Sequence, residues 1–178
     1  LTGEIPYTGR ELRSGWVRGQ TGLEGDAAAA FVGPCRVENE DLADLDDARA
    51  GEFIRAASMA HVIVEHPACD LETAVLRQRL LVCMLCEVLE ERGCSVRRRG
   101  DDVFFDNRKL TVSIAAPGPG CALIHLGINV DPGGAPVPAV GLAEMDIDAT
   151  GLLADLLERY RKEDESIRHA TTKVREVP

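Results

Sequence analysis

An α+β fold is expected from three observations on this chain of 178 residues. β-Branched and apolar runs at Met59 to His66 and Ala122 to Val130 read as strands. A long helical pattern runs from Leu71 to Arg92. Hairpin chemistry at Asp106-Asn107 places adjacent strands beside that dominant helix, where an α/β protein would alternate them strictly.

The elements follow in chain order. The first 25 residues are rich in Gly and Arg and give weak signals; Trp16 and Leu12 are the expected anchors to a core. Ala27 to Val32 reads as a short strand stopped by Gly33-Pro34. Asn39 to Asp47 is acidic, with Leu42 and Leu45 three apart, and reads as a surface helix capped by Asn39. The strand at Met59 to His66 ends at Pro67. Asp70 caps the long helix, which is apolar on all sides from Leu80 to Leu85, and Gly93 suits the position just past its end.

Three strand-like pieces follow, at Val96 to Arg98, Asp102 to Phe105 and Lys109 to Ala115. Asp106 and Asn107 tolerate positive φ and form the turn between the last two. A loop from Pro117 to Gly120 leads into the strand at Ala122 to Val130. After a Gly/Pro-rich stretch from Asp131 to Pro138, Ala149 to Arg161 forms an amphipathic helix with Leu152, Leu153, Leu156, Leu157 and Tyr160 on one stripe. A further helical turn and a strand at Lys173 to Val177 are expected to close the chain.

Length fits a single domain over residues 1–178. Hydrophobic residues make up 45% and aromatics only 4%, so Leu, Val, Ile and Ala must build the core. Thirty acidic against twenty basic residues give a net charge of −10, which argues against a nucleic-acid partner. No apolar run is long enough for a membrane span, and the first residues lack the charged-then-apolar pattern of a secretory signal. The six cysteines sit largely among apolar residues, so reduced thiols and a cytoplasmic location are expected.

Chemistry concentrates between Arg97 and Val130. Lysine is scarce: Lys109, Lys162 and Lys173 stand against seventeen arginines. Lys109 follows a tight turn at the start of a strand, where one ammonium can enter a cleft and hold a carboxylate or phosphate; the competing reading is a surface lysine beside a hairpin. Strand alternation puts His61 and Glu65 on one face and His66 on the other, so the two histidines share no metal. His125 interrupts an apolar strand and reads equally as a ligand contact or as a hydrogen-bonded interior histidine. Arg97-Arg98-Arg99 reads as a run that is solvated or paired with nearby carboxylates, Asp101 and Asp102 being at hand, ahead of an anion-recognising wall. Cys83 and Cys86 have CxxC spacing, but inside an apolar helix this is packing, and no metal site is expected. No phosphate-loop, nucleophile-elbow or dinucleotide motif is present.

The stretch Gly100-Asp101-Asp102-Val103, then Asn107-Arg108-Lys109-Leu110 and Ser113, resembles the central block of biotin–protein and lipoate–protein ligases. Ile124-His125-Leu126-Gly127-Ile128-Asn129-Val130 resembles the Gly-containing strand ending in Asn-Val of biotin ligases, and equally the His-Gly strand of octanoyl transferases. The whole chain also resembles a small bacterial and archaeal family of uncharacterised proteins grouped in fold with those enzymes and with class II synthetases. The resemblance implies a mixed, largely antiparallel sheet with helices packed on one face. It implies that Lys109 contacts an acyl carboxylate, that Asp102 lies in the same pocket, and that Asp101 replaces an Asn.

Two features depart from those enzymes. The Gly/Arg-rich loop that wraps phosphate in ATP-using ligases corresponds to Arg49 through Ser58, which holds one Gly with Arg49 and Arg55 as charge sources. The nucleophilic Cys of the transferases has no counterpart in Pro136 to Gly141. The leading expectation is a small-molecule site for a carboxylate or nucleotide-like ligand, with Lys109 and Asp102 central and Asp101, His61, His125, Asn129 and Arg55 around them. Its strongest form is acyl transfer or adenylate formation, which would make ATP a cofactor. The alternative is a non-catalytic binding or oligomer-forming protein that keeps the fold; a homodimer is an expectation taken from related folds alone.

Overall fold

The computed structural model describes residues 1–177. Its frame is a four-stranded antiparallel sheet in the order β1-β2-β7-β6, from β1 (Ala27–Val37), β2 (Ile54–Pro67), β6 (Thr111–Gly118) and β7 (Cys121–Asp131). A small second sheet holds β3 (Arg97–Arg99), β4 (Asp102–Phe105) and β5 (Arg108–Lys109). Helices α1 (Trp16–Thr21), α2 (Leu45–Ala50), α3 (Leu71–Glu91) and α4 (Ala149–Thr172) complete the fold.

Period-two alternation divides the large sheet into two faces. Ala60, Val62 and Val64 of β2 and Ile124, Leu126 and Ile128 of β7 point to one face. There they meet Leu81, Leu85 and Leu89 of α3 and Leu152 and Leu156 of α4. The two long helices therefore share one face, as the resemblance implies. The helix α3 follows its sequence signals: the Asp70 carboxylate accepts from Thr73 N–H at 2.8 Å, and Gly93 has φ 80° just past the end. The opposite face carries Phe31, Cys35, Met59 and Ile63. It is covered by the first 17 residues through Tyr7, Trp16 and Val17. Leu12 packs on this layer beside Trp16, so both expected anchors hold.

Several local expectations need correction. The strand β1 does not stop at Gly33-Pro34. The pair forms a β-bulge between Gly33 and Cys35, and β1 continues to Val37. At that bulge the N-terminal segment runs parallel to β1, with Ile5 N–H donating to Val32 O at 3.1 Å and Tyr7 N–H to Pro34 O at 2.9 Å. The acidic surface helix is displaced. Asn39–Asp41 is a short 3-10 turn, and Asp44, not Asn39, caps α2 by accepting from the N–H groups of Asp46 and Asp47. Lys109 to Ala115 is two strands in different sheets, broken at the buried Leu110. The last helix continues to Thr172, and no strand forms at Lys173 to Val177. The turn at Asp106-Asn107 is as expected, with φ 49° and 61°.

Among the described residues no helix is long and apolar enough to cross a membrane. Among the described residues, no group of three or more His, Cys, Asp or Glu is placed to hold a metal ion. All six cysteines are free, and burial pushes the Cys86 thiol up to about 11, in keeping with a packing role.

Candidate functional site

The chain reaches its candidate site at the junction of the two sheets. At Leu110 it leaves the small sheet and enters the large one, with Leu110 N–H donating to Val103 O at 2.8 Å and Asn129 N–H to Leu110 O at 2.9 Å. Lys109, one residue earlier, is held by its backbone along one edge, while β5 pairs with β4 on the other. Its N–H donates to Pro138 O at 2.9 Å, and its carbonyl accepts from Val140 N–H at 3.0 Å and from the Asn129 Nδ2 amide at 3.2 Å. Asn129 thus fixes the strand that carries the lysine. It is 5% exposed, on the face of β7 away from the long helices.

Beside this junction lies a cavity of about 420 Å³. Of the seven expected residues, six line it: Lys109, Asp102, Asp101, Arg55, His125 and Asn129. His61 does not. It is fully buried beneath the cavity floor, where its Nδ1 lies 3.1 Å from Nε2 of His125. The register explains the pair: His61 faces Gly127 and Ile63 faces His125, so the two imidazoles are diagonal neighbours on one face.

The Lys109 Nζ lies 2.9 Å from Asp102 Oδ1, and both side chains are 30% exposed. The ammonium is therefore partly withdrawn from water and already has one carboxylate beside it. Asp101 turns toward α3 and is neutralised there, accepting from Arg79 at 2.7 Å and from Gln78 Nε2 at 3.1 Å. Gln78 also donates to Ser113 Oγ at 2.8 Å. Of the two readings of Arg97 to Arg99, solvated or paired with these aspartates, the structure shows the first, since Asp101 pairs with Arg79 and Asp102 with Lys109. That run is exposed; Arg97 donates to Asn107 and Arg99 lies over the Phe104 ring. Arg55 sits on the rim, its guanidinium 3.5 Å from Glu38 and 5.2 Å above the Phe53 ring.

His61 and His125 form a neutral pair. Desolvation pushes His61 down to about 3 and His125 well below the ordinary histidine range, the neighbouring His61 adding to the latter. Tyr7 stacks on His125 at 3.9 Å and Phe31 on His61 at 4.8 Å, each covering one ring face. His66, on the other face as expected, bridges Asp26 at 2.7 Å and the Tyr160 hydroxyl at 2.8 Å, away from the cavity. Glu65 accepts from Gly15 and Val17 N–H at the start of α1 and ties the N-terminal cover to the sheet.

Sequence reasoning missed Tyr7, Asp47 and Glu52, which also line the cavity. Tyr7 lies in a segment without periodicity. Asp47 and Glu52 flank the end of α2, whose acidic composition reads as solvated surface.

Residues 1–175 match the family model described as a domain of unknown function, DUF366. The chain belongs to the DUF366 family. An uncharacterized protein of Methanocaldococcus jannaschii is 35% identical over 170 residues, covering 92% of this chain and 77% of its own length. A solved protein of unknown function from Pyrococcus horikoshi superposes with a TM-score of 0.94 at 36% identity, over 100% of this chain and 96% of that one. A lipoate-protein ligase A bound with ATP gives 0.58 at 14% identity, over 91% and 83%. A biotin protein ligase from Aquifex aeolicus in complex with biotin and ATP gives 0.55 at 16%, over 91% and 70%. At such identities the two ligases establish shared architecture for this DUF366 chain: a mixed α+β fold with antiparallel sheets, related to the biotin/lipoate ligase fold.

Proposed function

We propose that the cavity beside Lys109 binds a small carboxylate-bearing molecule, with the Lys109 ammonium as its anchor. The observation that carries this reading is the placement of Lys109: a side chain only 30% exposed on the wall of a cavity of about 420 Å³, on a strand paired along both edges. A cation held this way loses little conformational freedom when it meets an anion. An entering carboxylate shares the ammonium with Asp102, which orients it.

Charge favours a binding protein over an ATP-dependent ligase. Asp44, Asp47 and Glu52 stand at the cavity where a triphosphate would need donors, and the lining holds only Lys109 and Arg55 as cations. ATP–pyrophosphate exchange is therefore expected to be undetectable with any carboxylic acid; measurable exchange would replace this reading by the ligase one.

The binding reading is tested by calorimetric titration with short carboxylates. Lys109→Ala is expected to weaken binding roughly ten- to hundredfold, the usual worth of a charge-assisted contact. The melting temperature should barely move, because a partly exposed ion pair contributes at most about 1 kcal/mol. Unchanged affinity, or a large loss of stability, would make Lys109 structural.

A further inference from the structure

The cavity is more acidic than an anion site requires, and its carboxylates are not equally engaged. Asp41 pairs with Arg10 at 3.1 Å. Asp44 is spent on capping α2. Asp101 is held by Arg79, and Asp102 by Lys109. Asp47 and Glu52 are left, and neither carboxylate forms an ion pair or a side-chain hydrogen bond among the described residues. Partial burial raises the Asp47 carboxyl above the ordinary aspartate range, with Asp44, Glu52 and Asp102 pushing the same way and Lys109 opposing them. Asp47 therefore shares a field with the Lys109–Asp102 pair.

A second, independent feature marks the same space as a ligand site. Tyr7, His125 and Asn129 are 3%, 3% and 5% exposed, and all three line the cavity. The Tyr7 hydroxyl, His125 Nδ1 and Asn129 Oδ1 make no hydrogen bond to any described residue, since His125 uses only Nε2 and Asn129 only Nδ2. None of the three atoms is fully enclosed, and the residues that carry them line the cavity. Together the three form a ready set of contacts for a polar guest.

We propose that the guest is a small zwitterion: a carboxylate held at Lys109 and an ammonium group held at the mouth by Asp47 and Glu52, with Tyr7, His125 and Asn129 contacting the polar atoms between. This rests on the Lys109 reading for its carboxylate half only. The ammonium half follows from the two unengaged carboxylates, which pair with no described cation. A plain fatty acid would leave those carboxylates unanswered, and a polyphosphate would be repelled by them.

Calorimetric titration separates the two halves. β-Alanine, γ-aminobutyrate and δ-aminovalerate are compared with propionate, butyrate and valerate, and with butylamine. The best amino acid is expected to bind roughly fivefold or more tightly than its plain counterpart, a difference in line with partly exposed charge pairs. In the double variant D47N/E52Q that preference should fall to within about twofold, and rising salt should erode it in the wild type. Plain acids binding as tightly as amino acids would overturn the ammonium assignment and leave the Lys109 anchor standing. Butylamine binding as tightly as γ-aminobutyrate, with no effect of Lys109→Ala, would uphold the acidic mouth and overturn the anchor. Binding by none of the seven probes would overturn both.

Discussion

Replacing Gly33 with alanine is expected to cost roughly 3 kcal/mol or more, lowering the melting temperature by roughly 6–12 °C for a chain of this size. A Cβ on Gly33 would lie 1.9 Å from the carbonyl oxygen of Ile5. Backbone on both sides prevents a small adjustment, because Ile5 N–H is bonded to Val32 O and Tyr7 N–H to Pro34 O. Relief requires the N-terminal segment to leave β1, which uncovers Phe31 and Ile63 and withdraws Tyr7 from His125. Chemical denaturation measures the effect. A loss below about 0.5 kcal/mol, the scale of an ordinary surface change, would show that the N-terminal cover is not the rigid layer described.

The second large effect is acid sensitivity. His61 and His125 are neutral when folded, with His61 pushed down to about 3. In the unfolded chain both titrate near the usual histidine value of about 6.5. Above that value neither state binds these protons, so stability is insensitive to them. Below it the unfolded chain takes up two protons that the folded chain refuses, and each histidine removes about 1.4 kcal/mol per pH unit. Between pH 7 and pH 5 the pair should remove roughly 4 kcal/mol. His66, also held below its ordinary range by burial, acts in the same direction. Denaturant unfolding at a series of pH values gives the slope directly. A flat profile between pH 7 and pH 5 would mean that the imidazole pair admits protons, and hence water, in the folded protein.

These effects also mark where sequence reasoning succeeds and where it stops. Local signals with a physical mechanism were legible: the Asp70 cap, the Asp106-Asn107 turn, and the alternation that separates His61 and Glu65 from His66. Lys109 stood out through the scarcity of lysine and the turn before it. The bond from the Asn129 amide to the Lys109 carbonyl joins strands that are distant in sequence, and only the structure reveals it. What was not legible depends on distant chain meeting in space. Gly33-Pro34 carries the local chemistry of a strand stop. It is a bulge because Ile5 and Tyr7 pair there, and nothing near residue 33 announces them. Lys109 to Ala115 looks like one strand by propensity, yet Leu110 is claimed by Val103 on one side and Asn129 on the other, which splits it between sheets. His61 has the polarity of a pocket residue, but only the register with His125 reveals that its nitrogen is consumed below the floor. Tyr7 had no signal at all, since a short parallel edge segment has no periodic pattern to detect.

The central claim is that the Lys109 ammonium receives a carboxylate inside the cavity at the sheet junction. The most direct measurement is diffraction from crystals soaked with β-bromopropionate, whose bromine reports its own position by anomalous scattering. The account predicts a bromine peak within the cavity and a carboxylate oxygen about 3 Å from Lys109 Nζ. A bound molecule whose carboxylate lies away from Lys109, or a cavity left empty at saturating concentration, would contradict it.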